Sequence, residues 1–286
     1  MSRILDGKEV ARVLTEGLQN RSQRLGEKGI TPTLAIVRMG EKPEDMAYER
    51  GALKRAEKVG VQVRQVVLDA DEKEEMLLDE INKLNRDEKV HGIIVFRPLP
   101  KHIDDEKVRN AIAAAKDVDG VTDASMAFVY SGGHGEGFAP CTASACMEVL
   151  RHYEIPVKGR RAVVVGRSLV IGRPVANLLL AADATVSVAH TKTVNLPEFC
   201  RSAEILIAAA GRAGMITADF VSENQVILDV GVNFTPEGKM TGDVAFDEVS
   251  GIVSALTPVP GGIGAVTSTI LMKHVVEAAE KTEKNY

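Results

Sequence analysis

A chain of 286 residues has room for two modest domains or one large one, each with a buried core. With 45% hydrophobic and 26% charged residues it reads as an ordinary soluble protein. A formal net charge of −5, with no basic run beyond Lys158-Gly159-Arg160-Arg161, argues against a nucleic-acid binder.

The opening stretch, MSRILDGKEVARVL, carries charges through its first turns, so no signal peptide is expected. Val10, Val13, Leu14 and Leu18 have helical spacing and predict a helix over 4–25, which Gly26 and Gly29 break. A strand follows at 33–39 (TLAIVRM), then a helix over 45–59 stopped by Gly60, and an alternating strand over 61–68. Residues 72–85 form a helix with Met76, Leu77, Ile81 and Leu84 on one face, and 92–96 (GIIVF) is a buried strand running into Arg97-Pro98-Leu99-Pro100. The stretch 105–115 is helical, and Lys116-Asp117-Val118-Asp119-Gly120 is a turn. Strands alternating with helices imply a parallel sheet with helical layers.

A looser, glycine-rich segment over 131–137 precedes Pro140-Cys141-Thr142, which opens a helix toward Tyr153 and marks the expected domain boundary. Cys141, Cys146 and Cys200 show no metal-ligand spacing and cannot all pair, so a reducing cytoplasm is the expected compartment and no metal is expected. Beyond the boundary, Arg161 to Leu180 (RAVVVGRSLVIGRPVANLLL) reads as a short β-branched strand, a turn of small residues at Gly166, Ser168 and Gly172, and a helix opening near Pro174. Strand, tight turn and helix form the unit that places a helix N-terminus under a pyrophosphate. The usual G-x-G-x-x-G is not met, because Ser168 stands at the second glycine and the last glycine is displaced. Further strands are expected at 185–189, 204–209, 226–230 and near 252–255, giving a doubly wound, Rossmann-like nucleotide-binding sheet. The last helix, 266–281, follows that sheet and is expected to return to the first domain. The domains are thus 1–139 plus 265–286, and 140–264. No apolar run approaches the roughly 20 residues that a bilayer span needs.

The second strand of the nucleotide domain leads into His190-Thr191-Lys192-Thr193, where a carboxylate would normally hold a free ribose 2′-hydroxyl. Donors there, with the positive charge that Arg167 and Arg173 add, favour a 2′-phosphate and hence NADP over NAD. Thr257-Pro258-Val259-Pro260-Gly261-Gly262-Ile263-Gly264 is a rigid turn followed by glycines that let a ligand approach the backbone.

Taken with Arg97–Pro100, Lys116–Gly120, Pro140-Cys141-Thr142 and Asp229-Val230-Gly231-Val232-Asn233, these motifs make essentially the whole chain resemble the bifunctional methylenetetrahydrofolate dehydrogenase/methenyltetrahydrofolate cyclohydrolase family. The resemblance implies an N-terminal α/β folate-binding domain, a nucleotide domain, a cleft between them and a homodimer acting in one-carbon metabolism. It implies that Gly166, Arg167, Ser168 and Gly172 bind the cofactor, with Thr191 and Val232 lining the same site. Tyr48 would stack on the folate, Asp119 would hydrogen-bond its pterin, and Pro260, Gly261 and Gly262 would close over it. Tyr48 and Asp119 are the expected catalytic residues.

Two departures from the family pattern are informative. The family's helix reads Tyr-x-x-x-Lys, with lysine as the acid/base group, whereas here Tyr48-Glu49-Arg50-Gly51 leads to Ala52. Lys54 lies about 200° round the helix from position 52, and Arg55 cannot act as a base. The family's strand also ends in glutamine before Leu-Pro-Leu-Pro, where this chain has Phe96 and then Arg97, and Asp45 replaces a usual serine. Hydride transfer demands positioning and exclusion of water, whereas cyclohydrolysis gains from acid/base help, typically worth about 10²–10⁴-fold. The expectation is a dehydrogenase with weak or absent cyclohydrolase activity. The alternatives are a fully bifunctional enzyme using Arg55, Lys54 or Asp45 in an altered role, a non-catalytic folate- or nucleotide-binding regulator, and a two-domain dehydrogenase of another substrate such as a shikimate-like acid.

Overall fold

A computed structural model describes residues 2–283. In chain order the elements are β1 (Arg3–Ile4), α1 (Gly7–Glu27), β2 (Thr33–Met39), α2 (Pro43–Val59), β3 (Gln62–Leu68), α3 (Glu74–Arg86), β4 (Gly92–Val95), α4 (Asp105–Ala111), α5 (Asp123–Tyr130) and α6 (Cys141–His152). They continue with β5 (Arg161–Val165), α7 (Gly172–Ala181), β6 (Thr185–Ala189), α8 (Leu196–Arg201), β7 (Ile205–Ala208), β8 (Val226–Asp229), β9 (Asn233–Phe234), β10 (Met240–Thr241), α9 (Phe246–Val249), β11 (Ala255–Leu256) and α10 (Ile263–Glu283). The chain divides into two compact units: Val13–Cys141 with the residues from Ser268 onward, and Thr142–Thr267 with the residues up to Arg12.

The first unit holds a three-stranded parallel sheet in the order β3-β2-β4, with Val37 opposite Val66 on one side and Val95 on the other. β2 lies between two neighbours and buries every residue, which is why it reads as a continuous apolar run. Leu77, Ile81 and Leu84 of α3 recur at helical spacing and pack with Ile93, Val95 and Val108 into one core. The predicted helix over 105–115 ends at Ala111, because the Asn85 amide donates to the Ala111 carbonyl (2.7 Å) and accepts from the Ala113 amide (3.0 Å).

The second unit carries a six-stranded, all-parallel sheet in the order β1-β11-β8-β7-β5-β6. The chain enters at β5, moves outward to β6, then crosses back to β7, so the order reverses between β5 and β7. In such sheets ligands bind at that reversal, outside the carboxyl ends of the strands. β1 was not legible in the sequence. Arg3 donates from its amide to the Ser254 carbonyl (2.8 Å) and Leu5 to that of Leu256 (2.9 Å). Those bonds make the first residues the sheet's edge strand, so the residues up to Arg12 lie with the nucleotide sheet and not with 13–139.

Candidate functional site

In the first unit, α2 buries Asp45, Glu49, Ala52, Ala56 and Val59 along one stripe. Glu49 meets Arg38 of β2 in a buried ion pair (3.2 Å), and Arg38 also donates to the Gly40 carbonyl. Ala52 is 5% exposed and Lys54 is exposed, so no α2 amine occupies the position one turn beyond Tyr48. Tyr48 is half-exposed and meets the buried Phe96 ring edge to face, with centroids 5.4 Å apart. Desolvation, and then the Asp119 carboxylate, push the Tyr48 phenol above its ordinary value.

Asp119 is presented by a turn that Asp117 builds. The fully buried Asp117 carboxylate accepts amide hydrogens from Gly120 (3.0 Å), Val121 (3.1 Å) and Thr122 (2.8 Å). Burial first, and the Asp117 charge second, raise Asp119 to about 6, while a hydrogen bond from Cys141 and the Arg97 charge hold it down. Cys141 Sγ also lies 3.3 Å from the Val118 carbonyl, which is 2.8 Å from His274 Nδ1. His274 stacks on Phe138 (4.9 Å between centroids), and burial lowers it to about 4, so it is neutral and Nδ1 carries the donated hydrogen. The sequence reading singled out Tyr48 and Asp119, and the Asp119 charge reaches the Tyr48 phenol. It missed Asp117 as the turn's organiser and His274 as the support for Cys141. A buried carboxylate inside an Asp-x-Asp-Gly turn was the available signal for the former; the latter lies more than 130 residues away in sequence.

In the second unit, Gly166 follows β5 with φ +132, and a Cβ there would collide with the Ala209 carbonyl after β7. Gly172 packs so closely on the Gly166 carbonyl that a Cβ there would also collide. The two glycines let the turn lie flat across the sheet reversal. Ser168 Oγ accepts the amides of Ile171 (3.2 Å) and Gly172 (3.5 Å), and the Ser168 carbonyl accepts that of Arg173 (3.0 Å). The first amides of α7 are therefore already taken up, and an anion would meet the exposed turn 167–170 and the Ser168 hydroxyl hydrogen. Arg173 Nε folds back on the Arg167 carbonyl (3.2 Å), leaving Arg167 exposed.

Thr191 follows β6, and the His190 amide is fixed by Thr193 Oγ1 (2.9 Å), so Thr191 and Lys192 stay exposed with no carboxylate beside them. Val232 follows β8 and is 61% exposed. It sits on a loop held by two buried carboxylates. Asp229 accepts from the amides of Gly231, Asp243 and Val244, and Asp243 from those of Ala210, Gly211 and Arg212. Burial raises Asp229 to about 6. Asp243, which ties the loop after β7 to the loop after β8, was not singled out from the sequence. Pro260, Gly261 and Gly262 follow β11, anchored by a bond from the Gly7 amide to the Gly261 carbonyl (2.8 Å). All these segments leave the carboxyl ends of parallel strands, as a nucleotide site of this topology requires, and their donors suit a phosphorylated ligand.

No group of three or more His, Cys, Asp or Glu side chains suited to a metal occurs among the described residues, and no described helix is long and apolar enough to cross a membrane. Two family models match the chain. The catalytic domain of tetrahydrofolate dehydrogenase/cyclohydrolase matches residues 5–119, and its NAD(P)-binding domain matches residues 140–283. The bifunctional protein FolD of Carboxydothermus hydrogenoformans is 46% identical over 282 residues, covering 98% of each chain. The crystal structure of the bifunctional methylenetetrahydrofolate dehydrogenase/cyclohydrolase from Campylobacter jejuni superposes with a TM-score of 0.95 at 39% identity, covering 99% of this chain and 100% of the other. The Trypanosoma brucei dehydrogenase-cyclohydrolase, solved with NADP and an inhibitor, does so at 0.90 and 32% identity, covering 99% of both. With a glycine turn at the sheet reversal, a tyrosine and a buried-turn aspartate in the other unit, and matches spanning both, the chain belongs to the tetrahydrofolate dehydrogenase/cyclohydrolase family.

Proposed function

We propose that this protein oxidises 5,10-methylenetetrahydrofolate to 5,10-methenyltetrahydrofolate, with NADP as cofactor, in one-carbon metabolism and as a homodimer. The observation that carries the folate half is Asp119, a turn-mounted carboxyl beside the Tyr48–Phe96 pair. Tyr48 stacks on the substrate, Asp119 accepts a hydrogen bond from its pterin ring, and Pro260, Gly261 and Gly262 cover it. Gly166, Arg167, Ser168 and Gly172 hold the nucleotide's phosphates, with Thr191 and Val232 beside them. The glycine cradle, the hydroxyl left to donate on Ser168 and the absence of a carboxylate at 190–193 fit that group and its 2′-phosphate. When bound, the nicotinamide supplies the hydride-accepting chemistry. The chain's own contribution is to orient the two ligands and exclude water. The open outer edge of β3, where Val67 is 49% exposed, is compatible with pairing between copies.

For the second activity, two observations pull apart. The relatives are named as bifunctional enzymes, which favours a dehydrogenase that is also a cyclohydrolase. Against it, Ala52 offers no amine, Phe96 offers no amide and Lys54 is exposed, which supports weak or absent cyclohydrolysis. One progress curve separates them. Protein, methylenetetrahydrofolate and NADP are mixed, and reduced cofactor and methenyl product are followed together. Equal rises, with methenyl decaying only at the buffer rate, fit a dehydrogenase alone. Methenyl lagging well behind reduced cofactor means that cyclohydrolysis occurs. Tight binding with neither rise, also with NAD, would make the chain a non-catalytic binder.

A further inference from the structure

Arg97 stands where the family pattern has leucine, directly after the Phe96 that packs on Tyr48. Its Nε and Nη2 are buried and have no hydrogen-bond acceptor. The Asp105 carboxylate lies 3.2 Å from Nε, outside hydrogen-bond geometry, and is itself 53% exposed. A guanidinium cannot shed its charge, and buried donors left without acceptors are among the less favourable features a fold can keep. The neighbouring Asp119 carboxyl feels the Arg97 charge, so the two groups share one region of the first unit. The nearby Phe96 and Ala52 add no polar atom that could satisfy either group. What the region lacks is an acceptor for Arg97.

We propose that Arg97 is a specificity-determining residue which, with Asp119, reads an amide-like edge of the bound substrate. Asp119 accepts from a ring N–H, and the Arg97 guanidinium donates to the adjacent ring carbonyl. This rests on the reading that a tetrahydrofolate binds here, since a reduced pterin offers such an N–H beside a C=O. Replacing that carbonyl by an amino group also takes the hydrogen from the adjacent ring nitrogen, so the carboxylate alone already distinguishes the two forms, and a guanidinium facing the carbonyl adds its own share. A site with a guanidinium facing it would reject the change, because two donors would then meet.

The test is calorimetric titration of the full chain, and of the Arg97→Leu and Arg97→Lys variants, with tetrahydrofolate and with its 2,4-diamino analogue, in which the ring carbonyl is replaced. Arg97 is expected to contribute about 10- to 100-fold to the wild-type preference for the oxo form, from one charge-assisted hydrogen bond. Arg97→Leu should lower the oxo-over-diamino ratio by that factor relative to the wild type, and Arg97→Lys should keep part of it. Unchanged NADP affinity, belonging to the other unit, checks that each variant is folded. An undiminished ratio in Arg97→Leu overturns this inference alone. Equal losses of both ligands overturn it too, since Arg97 would then meet a group they share, such as the glutamate carboxylates. Binding of neither ligand by the wild type overturns the folate reading along with it.

Discussion

At the scale of single residues the proposed chemistry turns on Asp119. Its carboxyl is lifted from 3.8 to about 6 chiefly by burial. If the ionised form holds the pterin, kcat/KM for the folate rises as pH passes through about 6 and levels above it. Asp119→Asn is expected to flatten that limb and to lower kcat/KM by about 10- to 100-fold. Stability should move the other way. Between the ordinary and the raised values the native state binds more protons than the unfolded chain, so Asp119's contribution falls as pH rises through 3.8–6. Thermal unfolding should therefore find Asp119→Asn more stable than wild type above pH 6, by about 3 kcal/mol, with the gain gone below pH 4. A variant destabilised at all pH values would mean that the carboxylate is held by bonds outweighing its burial.

At the scale of elements, α2 decides which reactions the first unit can assist. Its buried stripe passes through Ala52, one turn beyond Tyr48, so a side chain placed there enters the ground shared with Phe96. Ala52→Lys should bring in an amine whose pKa burial lowers toward neutrality, suited to moving a proton. The expected result is a rise in cyclohydrolase rate of about 10-fold or more, with dehydrogenase activity changed far less and about 1–3 kcal/mol of stability lost to overpacking. Combination with Phe96→Gln should relieve the crowding. If neither variant raises the rate, the missing amine is not what limits cyclohydrolysis.

At the scale of the whole molecule, the chain's ends are shared between units. α1 and α10 each contribute residues to both, and the residues before α1 complete the six-stranded sheet. Leu5 is fully buried beside β1, so Leu5→Ala should remove about 2–4 kcal/mol. Because α1 continues from one unit into the other, the loss should appear as one cooperative transition at lower temperature, monitored by circular dichroism. Two separated transitions, only one of them shifted, would show that the units unfold independently. A homodimer would sediment at twice the mass of the chain.

Period and composition alone determined a large part of this protein. Buried parallel strands such as β2 and β5 announce themselves as short, mostly apolar runs rich in β-branched residues, and α3 by its apolar stripe, because each signal is local. The glycine turn after β5 was legible for the same reason, whereas Tyr48 and Asp119 were named only through the resemblance that the motifs carry together. Two-residue β1 carries no period to read, and only its pairing with β11 makes it a strand. The roles of Asp117, Asp243 and His274 depend on amides and carbonyls brought in from other elements, and the unpartnered donors of Arg97 exist only because the fold buries them. Local sequence specifies which elements form, whereas burial and distant hydrogen-bond partners, which arise only on packing, set what each charged group does.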